Sequence, residues 1–270
     1  ERTFAADALN PNGKVIQQPS THMINENFAK AFDVKYKDKD EKEKWGHMTC
    51  YGPAISRIFA SVVITHGDDK GLKFPWEIAP IQVMIVPIGE DEKVMDKAYA
   101  LKKKIESFAT VQVDNSDKRP GEKFNYWEMK GIPLRIDIGL KDLEKNQVTL
   151  FRRDLDAKEF VPEKDLVKRM KEIVKEFTSN LIKEADKVFE NRVISCKDIK
   201  DVKKVVKDGS IARCNFCSVA MDGEKCAEIV EKDVGAEVRG TRLDEEEKVK
   251  GDCVVCGKKA KHVVYIAKSY

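Results

Sequence analysis

Gln82-Val83-Met84-Ile85-Val86 is the stretch that decides the fold of this chain. A continuous apolar run of this length is typical of a strand that is buried on both faces of a parallel sheet. Apolar residues at helical spacing follow it, and a second apolar strand, residues 110–113, comes after them. The helical positions are Ala98, Leu101, Ile105 and Phe108. A strand, a helix and a strand in this order predict a βαβ unit.

Two more strands and a long helix extend this unit towards the C-terminus. Residues 134–138 and 147–151 have the composition of strands, and Gly139 ends the first of them. Apolar positions at helical spacing then run from Leu166 to Val188, after Pro162. We therefore predict one compact α/β domain over residues 78–191.

The segment before this domain contains strand, helix and loop patterns. Residues 14–18 read as a short strand and residues 25–32 as a helical turn. The charged stretch 35–44 predicts a solvated hairpin or loop. The apolar run 58–64 fits a strand or a helix equally well, because periodicity alone does not separate the two in so short a run.

Composition limits the possible classes of function. The chain has 270 residues, of which 41% are hydrophobic and 36% charged, so it is long enough to bury a sizeable core. Its 50 Lys and Arg residues against 47 Asp and Glu leave a net charge of +3, so any contact with nucleic acid must come from local patches. No segment approaches the roughly 20 apolar residues of a membrane span, and no signal peptide opens the chain. We expect a cytoplasmic protein without membrane contact, and a piece of something longer, since the first residue is Glu1.

Cysteines are concentrated in the last third of the chain, where they indicate a thiolate metal site. Cys253 and Cys256 have the C-x2-C spacing of tetrahedral zinc sites, and Gly257 suits the tight turn that follows them. Two pairs compete as the other half of the site. They are Cys214 with Cys217, again at C-x2-C spacing, and Cys217 with Cys226. Buried free cysteines and disulfides are the alternatives, and the charged composition argues against a disulfide framework.

Three stretches together resemble the archaeal and eukaryotic type of prolyl-tRNA synthetase. Gly52-Pro53-Ala54-Ile55-Ser56-Arg57, with His66-Gly67-Asp68 downstream, resembles motif 3 of a class II synthetase. Residues 120–135, PGEKFNYWEMKGIPLR, are similar to the signature of the family's anticodon-binding domain. The cysteine-rich module that ends in Lys268-Ser269-Tyr270 resembles its zinc-binding C-terminal extension with a terminal tyrosine.

The resemblance implies an α/β fold class with three parts. Residues 1–77 would be the end of a class II catalytic domain with an antiparallel sheet, residues 78–191 an anticodon-binding domain with a mixed sheet, and residues 192–270 a small α+β zinc-binding domain. The implied function is proline–tRNA ligase, which attaches proline to its tRNA through a prolyl-adenylate. The implied substrates and partners are ATP with Mg²⁺, proline, tRNA(Pro) and a second copy in a homodimer.

The family also implies roles for residues near the N-terminus. Arg57 would be the catalytic cation at the ATP phosphates, where negative charge gathers in the transition state. Gln17 and Ser20 would contact the nucleotide together with Arg57. The proline pocket would be lined by His22, Cys50 and Gly52.

Anticodon reading is implied for the central domain. Unpaired RNA bases are recognised by stacking on aromatic rings and by hydrogen bonds to their exposed edges. Phe124 would stack, and Glu128 would accept from the Watson-Crick edge of a guanine. Arg135, Lys141 and Asp142 occupy matching positions in the family's tRNA-contacting strand and loop. Trp127 is assigned to the core.

The metal ligands implied by the resemblance are Cys217, Cys226, Cys253 and Cys256, which leaves Cys214 spare. Four thiolates would close the coordination sphere, so the zinc would be structural.

Motifs 1 and 2 of a class II synthetase are absent from the sequence, so the chain resembles a C-terminal fragment that is inactive alone. Phe151-Arg152-Arg153-Asp154 superficially resembles motif 2, but its place in the chain favours a basic strand end. The alternative is a non-catalytic tRNA-binding or regulatory protein built from synthetase domains. An upstream reading frame with motif 2 would favour the enzyme, and a native start near Glu1 the alternative.

Overall fold

The computed structural model describes residues 2–270, and the chain forms two compact units. One unit combines the N-terminal segment through Ser61 with Val188–Tyr270, and the other spans Val62–Lys187. Both contain sheets and helices, so the fold is α/β with mixed sheets, as predicted. Among the described residues, every helix is too short or too polar to traverse a bilayer.

The N-terminal segment is an antiparallel ladder followed by a helix. Its elements are β1 (Arg2–Leu9), β2 (Lys14–Asn25), α1 (Asn27–Ala31), β3 (Lys35–Lys37), β4 (Glu43–Trp45), β5 (Met48–Gly52) and α2 (Ile55–His66). Strand β2 pairs antiparallel with β1 and with β5. Strands β3 and β4 form a separate antiparallel ladder, which confirms the charged hairpin. The apolar run that fitted a strand or a helix is helix α2.

The unit Val62–Lys187 is built around a five-stranded sheet. Its elements are β6 (Val83–Pro87), α3 (Glu92–Ile105), β7 (Val111–Val113), α4 (Pro120–Met129), β8 (Leu134–Ile138), α5 (Leu140–Glu144), β9 (Gln147–Arg152), β10 (Ala157–Pro162) and α6 (Leu166–Glu190), whose last residues lie beyond Lys187. The strand order is β10-β9-β8-β6-β7. Strands β7 and β8 run parallel to β6, whereas β9 and β10 are antiparallel, so the predicted βαβ unit is confirmed within a mixed sheet.

The apolar stretch that decides the fold is buried on both faces of this sheet. Val83 and Ile85 enter a large core with α3 and α6, and Met84 and Val86 enter a smaller cluster with residues of α4 on the opposite face. All four are fully buried, which explains why strand β6 has no polar alternation. Helix α3 starts where the Asp91 carboxylate accepts a hydrogen bond from a backbone N–H at 2.8 Å.

An ion pair between a buried arginine and a solvent-accessible aspartate holds the end of strand β9. Arg153 is fully buried, and its guanidinium donates two hydrogen bonds to the Asp68 carboxylate, at 2.9 and 2.5 Å. It also donates to the backbone carbonyl oxygens of Gly71 and Glu128. The basic strand end expected from the sequence is therefore a hydrogen-bonded network around the buried Arg153 guanidinium. Hydrogen bonds from Arg153 hold the pKa of Asp68 far below its usual range.

The C-terminal segment returns the chain to its first strands. Its elements are β11 (Val193–Ser195), α7 (Ile199–Lys207), β12 (Ile211–Phe216), α8 (Glu224–Val234), β13 (Glu237–Gly240) and β14 (His262–Ser269). Strand β14 is antiparallel to β12 and β13 and parallel to β2, with Lys268 opposite Lys14. The two ends of the sequence thus share one sheet. The three-part division at residues 77 and 191 stays a prediction.

Candidate functional site

The predicted nucleotide and proline residues meet on the paired strands β2 and β5. In the antiparallel register, Ser20 lies opposite Gly52, and His22 lies opposite Cys50. Directly opposite residues project from the same face of a sheet. A Cβ atom on Gly52 would come within 3.8 Å of the Ser20 hydroxyl oxygen, an ordinary van der Waals contact. The structure therefore gathers these four residues into one patch.

Hydrogen bonds fix the His22 ring from both sides. Its Nδ1 lies 3.0 Å from Thr3 Oγ1, and its Nε2 lies 3.0 Å from Ser20 Oγ. Each hydroxyl is able to donate or to accept, so the ring is oriented whichever nitrogen carries the proton. Thr3 was missed in the sequence, since its contact depends on the pairing of β1 with β2.

The other two predicted nucleotide residues lie on β2 itself and on the helix α2. Arg57 is exposed on the first turn of α2, and Gln17 is half-buried on β2. Sequence reasoning missed a buried link between these two elements. Gln18 donates to the Ser61 hydroxyl at 2.8 Å and to the Ile16 carbonyl oxygen at 3.1 Å. It ties the helix that carries Arg57 to the strand that carries Ser20 and His22.

Three of the predicted anticodon residues meet between α4 and β8. The Phe124 ring of α4 lies over the guanidinium of Arg135, with 4.0 Å between Cζ and the ring centroid. Glu128, one turn further along α4, accepts a hydrogen bond from Arg135 Nη1 at 2.6 Å. Arg135 is 2% exposed and also donates to both carboxylate oxygens of Asp137. Each of its three guanidinium nitrogens thus donates a hydrogen bond, whereas Phe124 and Glu128 are only partly buried.

Asp137 is the member of this network that sequence reasoning missed. Burial raises the pKa of Asp137, although hydrogen bonds from Arg135 oppose the shift. The alternation of strand 134–138 was the available signal, because it places Arg135 and Asp137 on one face.

The remaining residues of this region have separate positions. Lys141 is exposed on the short helix α5, and Asp142 accepts from the backbone N–H of Gly139 at 3.0 Å, which caps that helix. Trp127 packs against the smaller cluster beneath α4, and its indole N–H donates to Asp114 at 2.6 Å. Nucleobase contacts by the five predicted residues stay a prediction.

Four cysteine sulfurs come together in the C-terminal segment. The Sγ atoms of Cys217, Cys226, Cys253 and Cys256 all lie within 4.8 Å of one another, and the first two are 3.6 Å apart. A tetrahedral Zn²⁺ with sulfur at about 2.3 Å needs sulfur–sulfur separations of about 3.8 Å. The donor set and its spacing therefore fit a closed tetrahedral thiolate site.

Short turns shape both halves of this cluster. Cys217 directly follows β12, and Cys226 lies in the first turn of α8. A Cβ atom on Gly223 would come within 2.1 Å of the Ser218 carbonyl oxygen, so only glycine permits the close approach between them. On the other half, Gly257 has φ 70° and donates its N–H to the Cys253 carbonyl oxygen.

The thiols differ in their electrostatic surroundings. Burial raises the pKa values of Cys217 and Cys226, and the backbone N–H of Lys258 lowers the pKa of Cys256 to about 7. Cys214 lies outside the cluster. It is buried on β12 in the core of the unit, where burial raises the pKa of its thiol to about 12.

Family comparisons agree with the positions of these sites. Residues 82–173 match the model of the anticodon binding domain, and residues 199–270 match the model of the prolyl-tRNA synthetase C-terminal domain. The first contains the Phe124 region and the second contains the four cysteines.

Several proteins are similar to this chain over its whole length. The proline–tRNA ligase of Thermofilum pendens is 40% identical over 100% of this chain and 57% of its own length. That of Oceanobacillus iheyensis is 42% identical over 99% of this chain and 55% of its own length. A crystal structure of prolyl-tRNA synthetase from Cryptosporidium parvum, complexed with halofuginone and AMPPNP, superposes with a TM-score of 0.92 at 26% identity and covers 100% of this chain and 57% of that one. The chain thus spans little more than half of each relative.

Proposed function

We propose that this chain forms part of a proline–tRNA ligase, because residues 82–173 match the model of an anticodon binding domain and residues 199–270 match that of the prolyl-tRNA synthetase C-terminal domain. The match to ligases along the whole chain carries this proposal. The substrates would be ATP with Mg²⁺, proline and tRNA(Pro), in the cytoplasm, and the complete enzyme would be a homodimer.

In this ligase the patch on β2 and β5 would face the reacting groups. The proline carboxylate attacks the α-phosphorus of ATP, pyrophosphate leaves, and the prolyl-adenylate then passes its acyl group to a terminal ribose hydroxyl of the tRNA. Arg57 would offset the charge that gathers on the phosphate oxygens. Support comes from its exposed position on α2, which Gln18 ties to β2.

The pocket for proline would lie over His22, Cys50 and Gly52, with Gln17 and Ser20 turned to the nucleotide. Support comes from the register of β2 and β5, which sets His22 against Cys50. A ring held at both nitrogens keeps its orientation when substrate binds, and a glycine leaves room beside it.

The anticodon loop would bind over α4 and α5. Phe124 and Glu128 would meet the bases, Arg135 would hold both from beneath, and Lys141 and Asp142 would contact the loop from α5. The half-buried ring and the partly exposed carboxylate support these roles.

Zn²⁺ would be the structural ion of the C-terminal domain, bound by Cys217, Cys226, Cys253 and Cys256. When bound, it would link the end of β12, the start of α8 and the turn before β14. The separations of the four sulfurs support this assignment.

An ATP–pyrophosphate exchange assay, together with a tRNA-binding assay, tests whether this chain binds tRNA without activating proline. The 270-residue chain should bind tRNA(Pro) but give no proline-dependent exchange, because the class II motifs 1 and 2 are absent from its sequence. A tRNA with a different anticodon serves as the binding control. Robust exchange by the chain alone would show that those motifs are dispensable, and equal affinity for both tRNAs would argue against anticodon reading.

Glu128→Ala is expected to weaken binding of the cognate anticodon stem-loop by about 1–3 kcal/mol, the scale of one specific base contact. The loss follows from removing the acceptor for a guanine edge. Titration with cognate and noncognate stem-loops measures it, and the noncognate RNA should be barely affected. Because Glu128 also accepts from Arg135, a thermal melt must show that the variant is folded. An equal loss for both RNAs would make Glu128 structural.

A further inference from the structure

The edge strand β10 carries an aromatic ring and a cation next to the Phe124 region. Phe160 is 70% exposed, and the Lys158 side chain is 51% exposed. Both residues project from one face of the strand, because they are two positions apart. On the other face, Val161 enters the main core and Glu159 accepts two hydrogen bonds from Arg169. Only one face of β10 is therefore free for a ligand.

The strand registers place this open face in line with the anticodon network. Lys158 lies opposite Phe151, which lies opposite Arg135. Phe160 lies opposite Thr149, which lies opposite Asp137. Two rows of side chains thus cross the sheet from β10 to β8.

Helix α4 contacts the first of these rows through Phe124. Its Phe124 ring lies over Arg135, and Lys158 Nζ lies 5.1 Å from the centroid of the same ring. Lys158 Nζ is also 4.0 Å from Asp137 Oδ2, the outer limit of an ion pair. Phe160, two residues beyond Lys158, is left exposed, and its ring makes no aromatic or cation contact with any residue in the part of the chain that the structure describes.

A single exposed ring is ordinary on a protein surface, so the exposure of Phe160 becomes informative only because Lys158 lies on the same face of β10, beside the Phe124 ring. Proteins that bind unpaired nucleotides combine aromatic rings, on which bases stack, with cations that follow the phosphates. Lys158 supplies the charge that such a partner requires, in a protein with almost no net charge.

We propose that Phe160 and Lys158 extend the anticodon-binding face onto β10, where the Phe160 ring stacks on an unpaired base of the tRNA and Lys158 contacts a neighbouring phosphate. This inference rests on the proposed function, since it takes the RNA to lie over Phe124. It adds two binding residues to the five that the sequence predicts, and both come from the register of the sheet.

Binding of the full chain to the anticodon stem-loop of a proline tRNA tests the inference. Phe160→Ala should weaken binding roughly 5- to 150-fold, the range that corresponds to about 1–3 kcal/mol for one base–aromatic stack. Phe160→Trp should keep most of the affinity. Lys158→Gln should lower the slope of log affinity against log salt by about 0.7, the value for one single-strand phosphate contact. An abasic nucleotide at the stacked position should abolish the effect of Phe160→Ala.

Two control variants on α3 and one variant of Phe124, a predicted anticodon residue, complete the experiment. Tyr99→Ala removes a ring that is 42% exposed, and Lys103→Gln removes an exposed lysine; neither should change binding. If Phe124→Ala weakens binding but Phe160→Ala does not, the extension to β10 is wrong and the proposed function stands. If the wild-type chain does not bind the stem-loop, both the extension to β10 and the proposed function are wrong. A change in oligomeric state with unchanged RNA affinity would make Phe160 a contact between copies and overturn the inference.

Discussion

Cys226→Ser is expected to lose zinc, whereas Cys214→Ala should keep about one ion per chain. Structural zinc binds with an apparent free energy of about 10–16 kcal/mol, so one thiolate of four contributes roughly 3 kcal/mol, or about two orders of magnitude in affinity. Metal analysis after gel filtration against a weak chelator measures the difference. The reason lies in the positions of the sulfurs, since Cys226 is in the cluster and Cys214 is in the core.

Alanine is the better control at Cys214, because a serine hydroxyl would be buried there without an assured partner. Hydrogen exchange should report loss of protection in the segments that the ion links, the end of β12, the start of α8 and the turn before β14. Retention of zinc by Cys226→Ser together with its loss from Cys214→Ala would restore the pairing of Cys214 with Cys217.

Asp68→Asn is expected to lower the free energy of unfolding by about 2 kcal/mol, because it leaves the buried Arg153 guanidinium without its charged partner. The cost is smaller than for a fully buried ion pair, since the Asp68 side chain is 33% exposed and solvent screens part of the interaction. The substitution removes the only carboxylate that the structure places on Arg153 among the described residues, and that guanidinium is fully buried. Denaturant unfolding of both chains measures the change. Asp69→Asn is the matched control, because Asp69 is adjacent and exposed, and it should alter stability by less than about 0.5 kcal/mol.

The same pair predicts a dependence on pH with a definite sign. Arg153 lowers the pKa of Asp68 in the folded chain, so its contribution is complete above the unfolded pKa of about 3.9. It is lost as pH falls from there towards the folded pKa. The stability difference between wild type and Asp68→Asn should therefore be constant from about pH 5 to 7 and shrink below about pH 4. A difference that stays constant at low pH would show that the Asp68 charge is not what stabilises Arg153.

The local sequence pattern was sufficient to predict much of the secondary structure of the central unit. The apolar run at Val83–Val86 predicted a strand buried on both faces, and the helical spacing after it predicted the crossover of a βαβ unit. Residues 35–44 likewise predicted a solvated hairpin or loop from their charge. These features depend on neighbours within a few residues, so the sequence alone contains the information.

The functional surfaces depended on pairings that no local pattern specifies. Only the register of β2 with β5 sets His22 against Cys50, and only the packing of α4 on β8 buries Arg135 between Phe124 and Asp137. The resemblance to a family grouped several of these residues, but it did not reveal that Arg135 is bound by Glu128 and Asp137 or that Lys158 adjoins the Phe124 ring.

The sequence by itself determined that the chain has an α/β unit, a charged hairpin and a thiolate cluster near its end. The tertiary structure decided that the run before His66 is a helix, that Cys214 packs in the core while Cys217 and Cys226 face the other two thiols, and that strand β14 pairs with strand β2. The physical reason is the range of the interactions. Helix and strand periodicity is set by neighbours along the chain, whereas registers, buried ion pairs and the joining of the two ends of the chain are set by contacts between residues far apart in sequence.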